Sequence, residues 1–248
     1  MDKGELEKLS IEHIRIYESF EKKEKCALCR CIEDFENQVL NAISTDLVMD
    51  LEFFPKFGEQ YTFCDYHMSK MEDMRDKLGM AIMLKKLITL EIRKMESGQI
   101  ENKVSKFFIK KANEKKCFVC EKVNLKAMNS DIDITLELWK NKEAFRENFR
   151  SQDFFCFKHN KLLINSAKEK FSKKDYEVFK QEIINVQMKY CKELESDLEW
   201  FINKFDYRYA NEPWYNAKDS IYRAREVLKK ALWSGDINLS NFLAGNLT

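Results

Sequence analysis

Cysteine and histidine recur in this chain at the spacing of metal ligands. A Cys-x-x-Cys pair, Cys26 and Cys29, is followed further along the chain by a Cys-x-x-His pair, Cys64 and His67. The second half repeats the order at nearly the same separation, with Cys117, Cys120, Cys156 and His159. Three thiolates and one imidazole form a closed tetrahedral ligand set for zinc. The pattern therefore predicts a duplicated unit that binds two zinc ions through these eight residues.

The expected pairing of the four ligand pairs is within each half of the sequence. The entropic cost of closing a loop rises with its length, so the shorter connections are favoured. One ion would then be bound by Cys26, Cys29, Cys64 and His67, and the other by Cys117, Cys120, Cys156 and His159. Pairing across the halves is the alternative. The alternative to metal binding is that these residues are buried free cysteines and unrelated histidines, and the matched spacing argues against that interpretation.

Four protein ligands leave a zinc ion no open position, so both sites are expected to be structural. An iron–sulfur cluster is the alternative cofactor, although four cysteines are its usual ligands. Cys31 extends the first pair and has no equivalent in the second half, so we interpret it as a spectator, with replacement of Cys29 as the alternative. Cys191 is expected to be a small core residue, and His13 a surface or packing residue.

The composition limits the class of protein. Hydrophobic residues make up 44% of the chain and charged residues 34%, which is typical of a folded domain with a charged surface. A net charge of +1 gives no indication of a nucleic-acid partner. No apolar stretch is long enough to span a membrane, and we expect no secretion signal from the polar residues at positions 1–5. We expect a cytoplasmic protein, where paired cysteines are metal ligands more often than disulfides.

Helices are the elements expected to position the ligands. Only six glycines and two prolines interrupt the chain, which favours long helices. Cys26 precedes a helical pattern that runs to Ile43, and Cys64 precedes the longest one, a stripe that ends with Ile88, Ile92 and Met95. Each cysteine pair is thus expected at a helix N-terminus, where the backbone N–H groups favour thiolates.

The predicted fold is all-α, a single domain of two pseudo-repeated, zinc-stapled helical units with a C-terminal extension. The first unit covers residues 1–99, the second covers 100–203, and the extension covers 204–248. Ser172 and Asp175 have the spacing of a capping box at the start of a long helix. The extension has no counterpart in the first half of the chain.

The extension also holds the best candidates for a ligand site. Arginine beside an aromatic ring can bind a carboxylate or a phosphate while it stacks. The candidate residues are Asp206, Tyr207, Arg208, Trp214, Lys218 and Arg223. The alternative interpretation is an ion-pair network that ties the last helix to the rest of the domain.

The expected function is a binding or interaction module for a protein or a small anionic ligand. The sequence has no Ser/His/Asp arrangement and no glycine-rich phosphate loop, so a non-catalytic role is favoured. The alternatives are an enzyme whose active site lies near the C-terminal Asp/Tyr/Arg segment, and a metal or redox sensor whose zinc thiolates react.

Motifs spread over nearly the whole chain resemble one known family. They are Glu18-x-Phe20, the four ligand pairs with Phe63 and Phe155 before two of them, and a tail that contains Phe205-Asp206-Tyr207-Arg208, Pro213-Trp214 and Lys218-Asp219-x-x-x-Arg223. The chain resembles an uncharacterised family, a domain of unknown function, found in anaerobic Gram-positive bacteria. That resemblance implies no activity. It leads us to expect proline inside the cysteine pairs, where this chain has Ala27 and Phe118.

Overall fold

A computed structural model of the protein describes residues 10–50, 53, 61–97, 116–125 and 130–228, apart from the side chains of Asn124 and Leu125. Its α-helices are α1 (Ile11–Glu21), α2 (Ala27–Thr45), α3 (Asp65–Glu72), α4 (Lys77–Glu96), α5 (Phe118–Leu125), α6 (Asp131–Asn141), α7 (Glu143–Arg150), α8 (Phe157–Lys170), α9 (Lys173–Asn203) and α10 (Ser220–Leu228). Short 3₁₀ helices cover Leu47–Met49, Tyr207–Tyr209 and Ala217–Asp219. The two strands in the described residues are β1 (Tyr61–Thr62) and β2 (Lys116–Cys117). The predicted all-α class is confirmed.

The chain divides into two compact units. The discontinuous unit combines Met1–Cys31 with Ala127–Thr248, and the continuous unit is Ile32–Lys126. These units reflect which segments pack together in space, and they do not coincide with the sequence-based boundaries 1–99, 100–203 and 204–248. The sequence-based boundaries mark the extent of the proposed sequence repeat, and they stay a prediction. The boundary between residues 99 and 100 lies outside the described residues.

An aromatic core holds the discontinuous unit together. Phe20 of α1, Phe145 and Phe149 of α7, Phe155 before α8 and Phe179 of α9 are all fully buried. Their rings contact one another, with Phe20 and Phe145 centroids 4.8 Å apart and Phe149 and Phe155 centroids 4.9 Å apart. Helix α1 therefore packs on α6 and α7, although a long stretch of sequence separates them. This packing brings the N-terminal segment that carries Cys26 to the helix that carries His159.

The long helix α9 begins where the sequence predicted. Ser172 accepts a hydrogen bond from the backbone N–H of Asp175 at 3.1 Å, and the Ser172 hydroxyl donates to the Asp175 carboxylate at 2.9 Å. The first of these bonds satisfies a backbone donor that the first turn leaves free, and the second joins the two side chains. The helix then runs for 31 residues to Asn203.

A smaller core lies in the continuous unit. It includes Ile43 of α2, Met71 of α3, Met83 of α4 and Val119 of α5. Strands β1 and β2 pair in parallel, with Thr62 opposite Cys117. This pairing sets the segment before Cys64 beside the segment that leads into Cys120, so two ligand pairs start from neighbouring strands.

The single long helix predicted after Cys64 is wrong. The helix is interrupted at residues 73–76, so that α3 and α4 are separate helices. Asp76 caps the start of α4 by accepting a hydrogen bond from the Gly79 N–H at 2.9 Å. The predicted stripe is buried at Met71 but not at its far end, where Ile88 is 61% exposed and Met95 is 62% exposed. Among the described residues, no helix is long and apolar enough to cross a membrane.

Candidate metal centres

The four ligand pairs share one local structure. In each pair the first ligand immediately precedes a helix and the second is the third residue of that helix, in α2, α3, α5 and α8. Cys64 and Cys156 are N-caps with extended backbone, and their carbonyls accept the first helical hydrogen bonds from Met68 and Asn160 at 2.9 Å. Residues at this spacing in a first turn project to the same side. The predicted placement of ligands at helix N-termini is confirmed.

The first cluster, centre I, joins Cys26 and Cys29 to Cys156 and His159. The His159 Nδ1 lies 3.4 Å from the sulfurs of Cys26 and Cys29 and 3.3 Å from that of Cys156. The Cys29 and Cys156 sulfurs are 3.6 Å apart. All four residues belong to the discontinuous unit.

The second cluster, centre II, joins Cys64 and His67 to Cys117 and Cys120. The His67 Nδ1 lies 3.1 Å from the Cys64 sulfur, 3.3 Å from that of Cys117 and 3.4 Å from that of Cys120. The Cys64 and Cys120 sulfurs are 3.8 Å apart. This cluster lies in the continuous unit.

The expected pairing within each half of the sequence is therefore wrong. Each centre takes its Cys-x-x-Cys pair from one half and its Cys-x-x-His pair from the other, so the connections are nested. Cys29 and Cys156 are 127 residues apart. Closing that loop instead of the short one from Cys29 to Cys64 costs only about 1 kcal/mol more, because the entropy depends on the logarithm of loop length. Burial of the aromatic residues that α1 adds to the core of the discontinuous unit outweighs this term.

The donor atoms have the spacing of ligands around one metal ion. Tetrahedral zinc with ordinary bond lengths places two sulfurs about 3.8 Å apart and a sulfur and a nitrogen about 3.6 Å apart. The sulfur–sulfur distances of 3.6 and 3.8 Å match, and the sulfur–nitrogen distances are a few tenths of an ångström shorter. The donors of each set all lie within 4.8 Å of one another. None of these six cysteines forms a disulfide bond.

The cysteine thiols within each cluster differ in their pKa values. Burial, followed by the thiols of Cys156 and Cys29, raises the pKa of Cys26. Hydrogen bonds from Cys26 and Cys29 lower the pKa of Cys156. In centre II, burial and then the Cys117 side chain raise the pKa of Cys120 to about 12. Crowded thiols cannot all ionise without a compensating charge, and a bound metal cation supplies that charge.

A buried carboxylate supports the histidine of centre II. The Glu36 Oε1 lies 2.7 Å from the Nε2 of His67, on the side of the ring away from the thiols, and Lys70 pairs with the other oxygen. Burial opposes the charges, but Glu36 and Cys64 together raise the pKa of His67, while hydrogen bonds from His67 and Lys70 lower the pKa of Glu36 to about 2. Metal-binding histidines are commonly oriented by a carboxylate in this way.

Sequence reasoning missed Glu36. It lies on α2, 31 residues from His67, among many similar glutamates. The spacing of His67 and Lys70 on α3 places them on one side of that helix. Nothing in the sequence indicates that α2 brings a carboxylate to them, because that depends on helix packing.

The remaining cysteines and the third histidine lie outside both clusters. Cys31 is fully buried in the core of the discontinuous unit, and Cys191 accepts a hydrogen bond from Gln187 at 3.2 Å. His13 accepts or donates at the Ser10 hydroxyl and faces Glu137 at 3.4 Å. Cys31 lies outside the clusters, as the spectator interpretation predicted, and Cys191 packs against the core as expected. His13 is half-buried.

The candidate ligand residues of the C-terminal extension do not converge on one point. Arg208 pairs with Asp206 of its own turn at 2.6 Å, and the neighbouring Tyr207 is 87% exposed. Trp214 packs against Phe201, with ring centroids 5.5 Å apart. Only Lys218 and Arg223 of the predicted set line the cleft between α9 and the start of α10.

That cleft has a volume of about 790 Å³ and balanced charges. Arg223 donates to Asp197 at 2.8 Å, to Asp219 at 2.9 Å and to the Asn216 carbonyl at 2.5 Å. Its guanidinium therefore joins α9 to α10 within the discontinuous unit. This arrangement is the ion-pair network that was the alternative interpretation, and the ligand site itself stays a prediction.

Comparison with known proteins gives a family but no activity. No curated protein and no solved structure is significantly similar to the chain. One family matches residues 7–234, a span that includes all eight clustered residues and the C-terminal extension as far as Ser234. The chain belongs to this family, DUF6062, a family of unknown function.

Proposed function

We propose that the protein binds two structural zinc ions, one at centre I and one at centre II, and acts in the cytosol as a binding module. The observation that carries this proposal is the convergence of two Cys₃His sets whose donor distances suit one tetrahedral ion each. The four helix N-termini support it as well, since their dipoles favour thiolates at these positions.

The geometry favours a single ion over an iron–sulfur cluster at each centre. A cluster binds its protein ligands through different iron atoms, so the ligands surround a group several atoms wide. Here the donor atoms surround one point. A four-ligand set also fills the coordination sphere of zinc, which supports a structural role rather than a catalytic one.

Elemental analysis combined with native mass spectrometry tests the metal proposal. We expect two zinc ions per chain in freshly purified protein that has not met a chelator, and one after Cys64→Ser or Cys156→Ser. Fewer than two metal ions in the unmodified protein, or sulfide and iron in place of zinc, would overturn it.

Of the two kinds of ligand, the described surfaces favour a protein over a small anion. The two arginines among the candidate residues of the C-terminal extension, Arg223 and Arg208, are already paired with carboxylates. The continuous unit instead carries a mainly apolar groove of about 450 Å³ along α4, lined by Met68, Leu84, Leu87, Ile88, Ile92 and Met95 among others. Exposed apolar patches on folded proteins commonly mark interaction sites.

Site-specific photocrosslinking in the native cell tests the binding role. A photoreactive residue at Ile92 is expected to give a discrete protein adduct. The same residue at Arg93, which is exposed but does not line the groove, is the matched control. Equal labelling at both positions, or none at Ile92, would contradict a protein partner at this groove.

A further inference from the structure

The two clusters differ in how far solvent reaches their sulfurs. In centre I, Cys26 and Cys156 are each 1% exposed and His159 is 2% exposed, so only Cys29 is partly accessible. In centre II, Cys64, Cys117 and Cys120 are all partly accessible, and only His67 is buried. The two clusters have the same set of donor atoms, but centre I is enclosed by protein whereas the sulfurs of centre II are partly exposed to solvent.

The enclosure of centre I comes from the large core. Ala27 and Leu28, between the first two ligands, are buried, and so is Phe155 just before Cys156. Phe155 in turn contacts Phe20 and Phe149. An external ligand could reach the Cys26, Cys156 and His159 side of an ion at centre I only after this aromatic packing opened, so that Cys29 is the one donor open to direct approach.

Centre II is held most firmly at its histidine. Glu36, which is itself paired with Lys70, contacts the Nε2 of His67 on the side of the ring away from the thiols. The partly exposed sulfurs have no equivalent support from a charged side chain among the described residues. If an external ligand added to a four-coordinate zinc ion at this centre, a thiolate would be the first protein donor to leave and His67 the last.

We propose that centre II is a metal-exchange site, at which the protein gives up and takes back a zinc ion to and from external thiolate or chelating ligands, while the ion at centre I is retained. This inference rests on the proposed function, in which both centres hold zinc. In each exchange step one external donor atom binds the ion and one protein donor leaves it, first the three thiolates and last the His67 imidazole, so that no electron is transferred and the ion stays divalent. A thiophilic divalent cation is thus the cargo.

Isotope exchange followed by native mass spectrometry tests the proposal on the full chain. Protein loaded with zinc of natural isotopic composition is mixed with excess ⁶⁸Zn²⁺ and a weak chelator, and the mass is followed over time. We expect one ion per chain to exchange at least tenfold faster than the other. Two ions that exchange at the same rate would overturn the exchange site and leave the two-zinc proposal standing. Fewer than two ions at the start would instead overturn the two-zinc proposal, and this inference with it.

Cysteine footprinting assigns the fast ion without any substitution. After limited chelation, a short pulse of N-ethylmaleimide is expected to label Cys64, Cys117 and Cys120 while Cys26 and Cys156 stay unlabelled. Labelling of Cys26 and Cys156 first would contradict the assignment.

Glu36 is expected to act as a positioning residue in this exchange. Glu36→Gln keeps a hydrogen-bond acceptor near His67 but removes the charge, and exchange at centre II should become about tenfold faster, in line with the effect of such supporting groups on metal affinity. Exchange at centre I should not change. Glu72→Gln, an exposed carboxylate on α3, is the matched control. An unchanged exchange rate in Glu36→Gln would remove the role assigned to this carboxylate as the support of His67.

Discussion

At the scale of single residues, the ligand cysteines should differ sharply from the other cysteines. Cys120→Ser removes one donor from centre II and should therefore weaken zinc binding there. At a structural site, zinc binding contributes on the order of 10 kcal/mol to the free energy of folding. Cys191→Ser, which lies outside both centres, is the matched control. We expect a large fall in melting temperature and loss of one zinc ion for Cys120→Ser only. A Cys120→Ser protein that keeps both ions and melts normally would remove Cys120 from the ligand set.

Glu182 provides a residue-scale prediction of pH dependence. Its carboxylate accepts hydrogen bonds from Trp139 at 2.8 Å and from Arg146 at 2.7 Å. Burial opposes its charge, but the bonds from Arg146, Trp139 and Arg150 lower its pKa below the ordinary value of 4.5. A carboxyl group whose pKa is lower in the folded state stabilises the protein above its unfolded pKa, and this contribution is lost as the pH falls through the folded value.

Glu182→Gln should therefore unfold more easily than the unmodified protein at pH 7, by about 1 kcal/mol because the network is partly screened by solvent. The difference between the two proteins should shrink as the pH falls below 4.5, the ordinary value for a glutamate. Comparison of the two proteins at each pH cancels the effect of acid on the metal centres. A difference that stays constant from pH 7 to pH 4 would show that the charge of Glu182 contributes nothing.

The members of the two clusters were predictable from the sequence, and the way in which the four pairs combine was not. Spacing alone identified the eight clustered residues and placed each pair at a helix N-terminus, because these are local properties of the chain. The pairing depends on which helices pack together, and the loop-length argument that favoured neighbours in sequence is worth only about 1 kcal/mol. Glu36 was missed for the same reason. The duplication of the unit itself stays a prediction.

At the scale of helices, Gly79 shows where packing overrides propensity. Alanine ordinarily stabilises a helix interior relative to glycine by about 1 kcal/mol. In α4, however, a Cβ at Gly79 would lie 1.8 Å from the carbonyl oxygen of Ser44 in α2. The two helices can approach this closely only because position 79 has no side chain.

Gly79→Ala is consequently expected to destabilise the protein by about 2 kcal/mol, in the range of other overpacked sites. Ala81→Gly, at an exposed position of the same helix, should show the ordinary cost of about 1 kcal/mol for glycine. Denaturant unfolding of both variants measures the two effects. A Gly79→Ala protein more stable than the original would contradict the close contact between α2 and α4.

The junction between α9 and α10 gives a second prediction at this scale. Arg223→Ala removes the bonds to Asp197, Asp219 and the Asn216 carbonyl, and should lower stability by about 1 kcal/mol because the half-buried side chain makes three hydrogen bonds. Arg208→Ala breaks only an exposed pair within one turn and should leave stability unchanged. Equal stability of the two variants would contradict a structural role for Arg223 and would return it to the candidate ligand residues.

At the scale of the whole molecule, the four cysteine and histidine pairs combine in a nested order along the chain. The outer pairs of the sequence meet in centre I and the inner pairs meet in centre II, each within one compact unit. The chain must therefore complete most of its length before centre I can close. The α1 segment can bury its aromatic residues only against helices that follow the continuous unit in sequence.

Cysteine reactivity after removal of one ligand distinguishes this nested connection from pairing within each half of the chain. Zinc-loaded Cys64→Ser is exposed to a short pulse of N-ethylmaleimide, and the labelled cysteines are identified by peptide mass spectrometry. Nested pairing predicts strong labelling of Cys117 and Cys120, with Cys26 and Cys29 still protected by zinc. Labelling of Cys26 and Cys29, with Cys117 and Cys120 protected, would instead show that each centre is built within one half of the sequence.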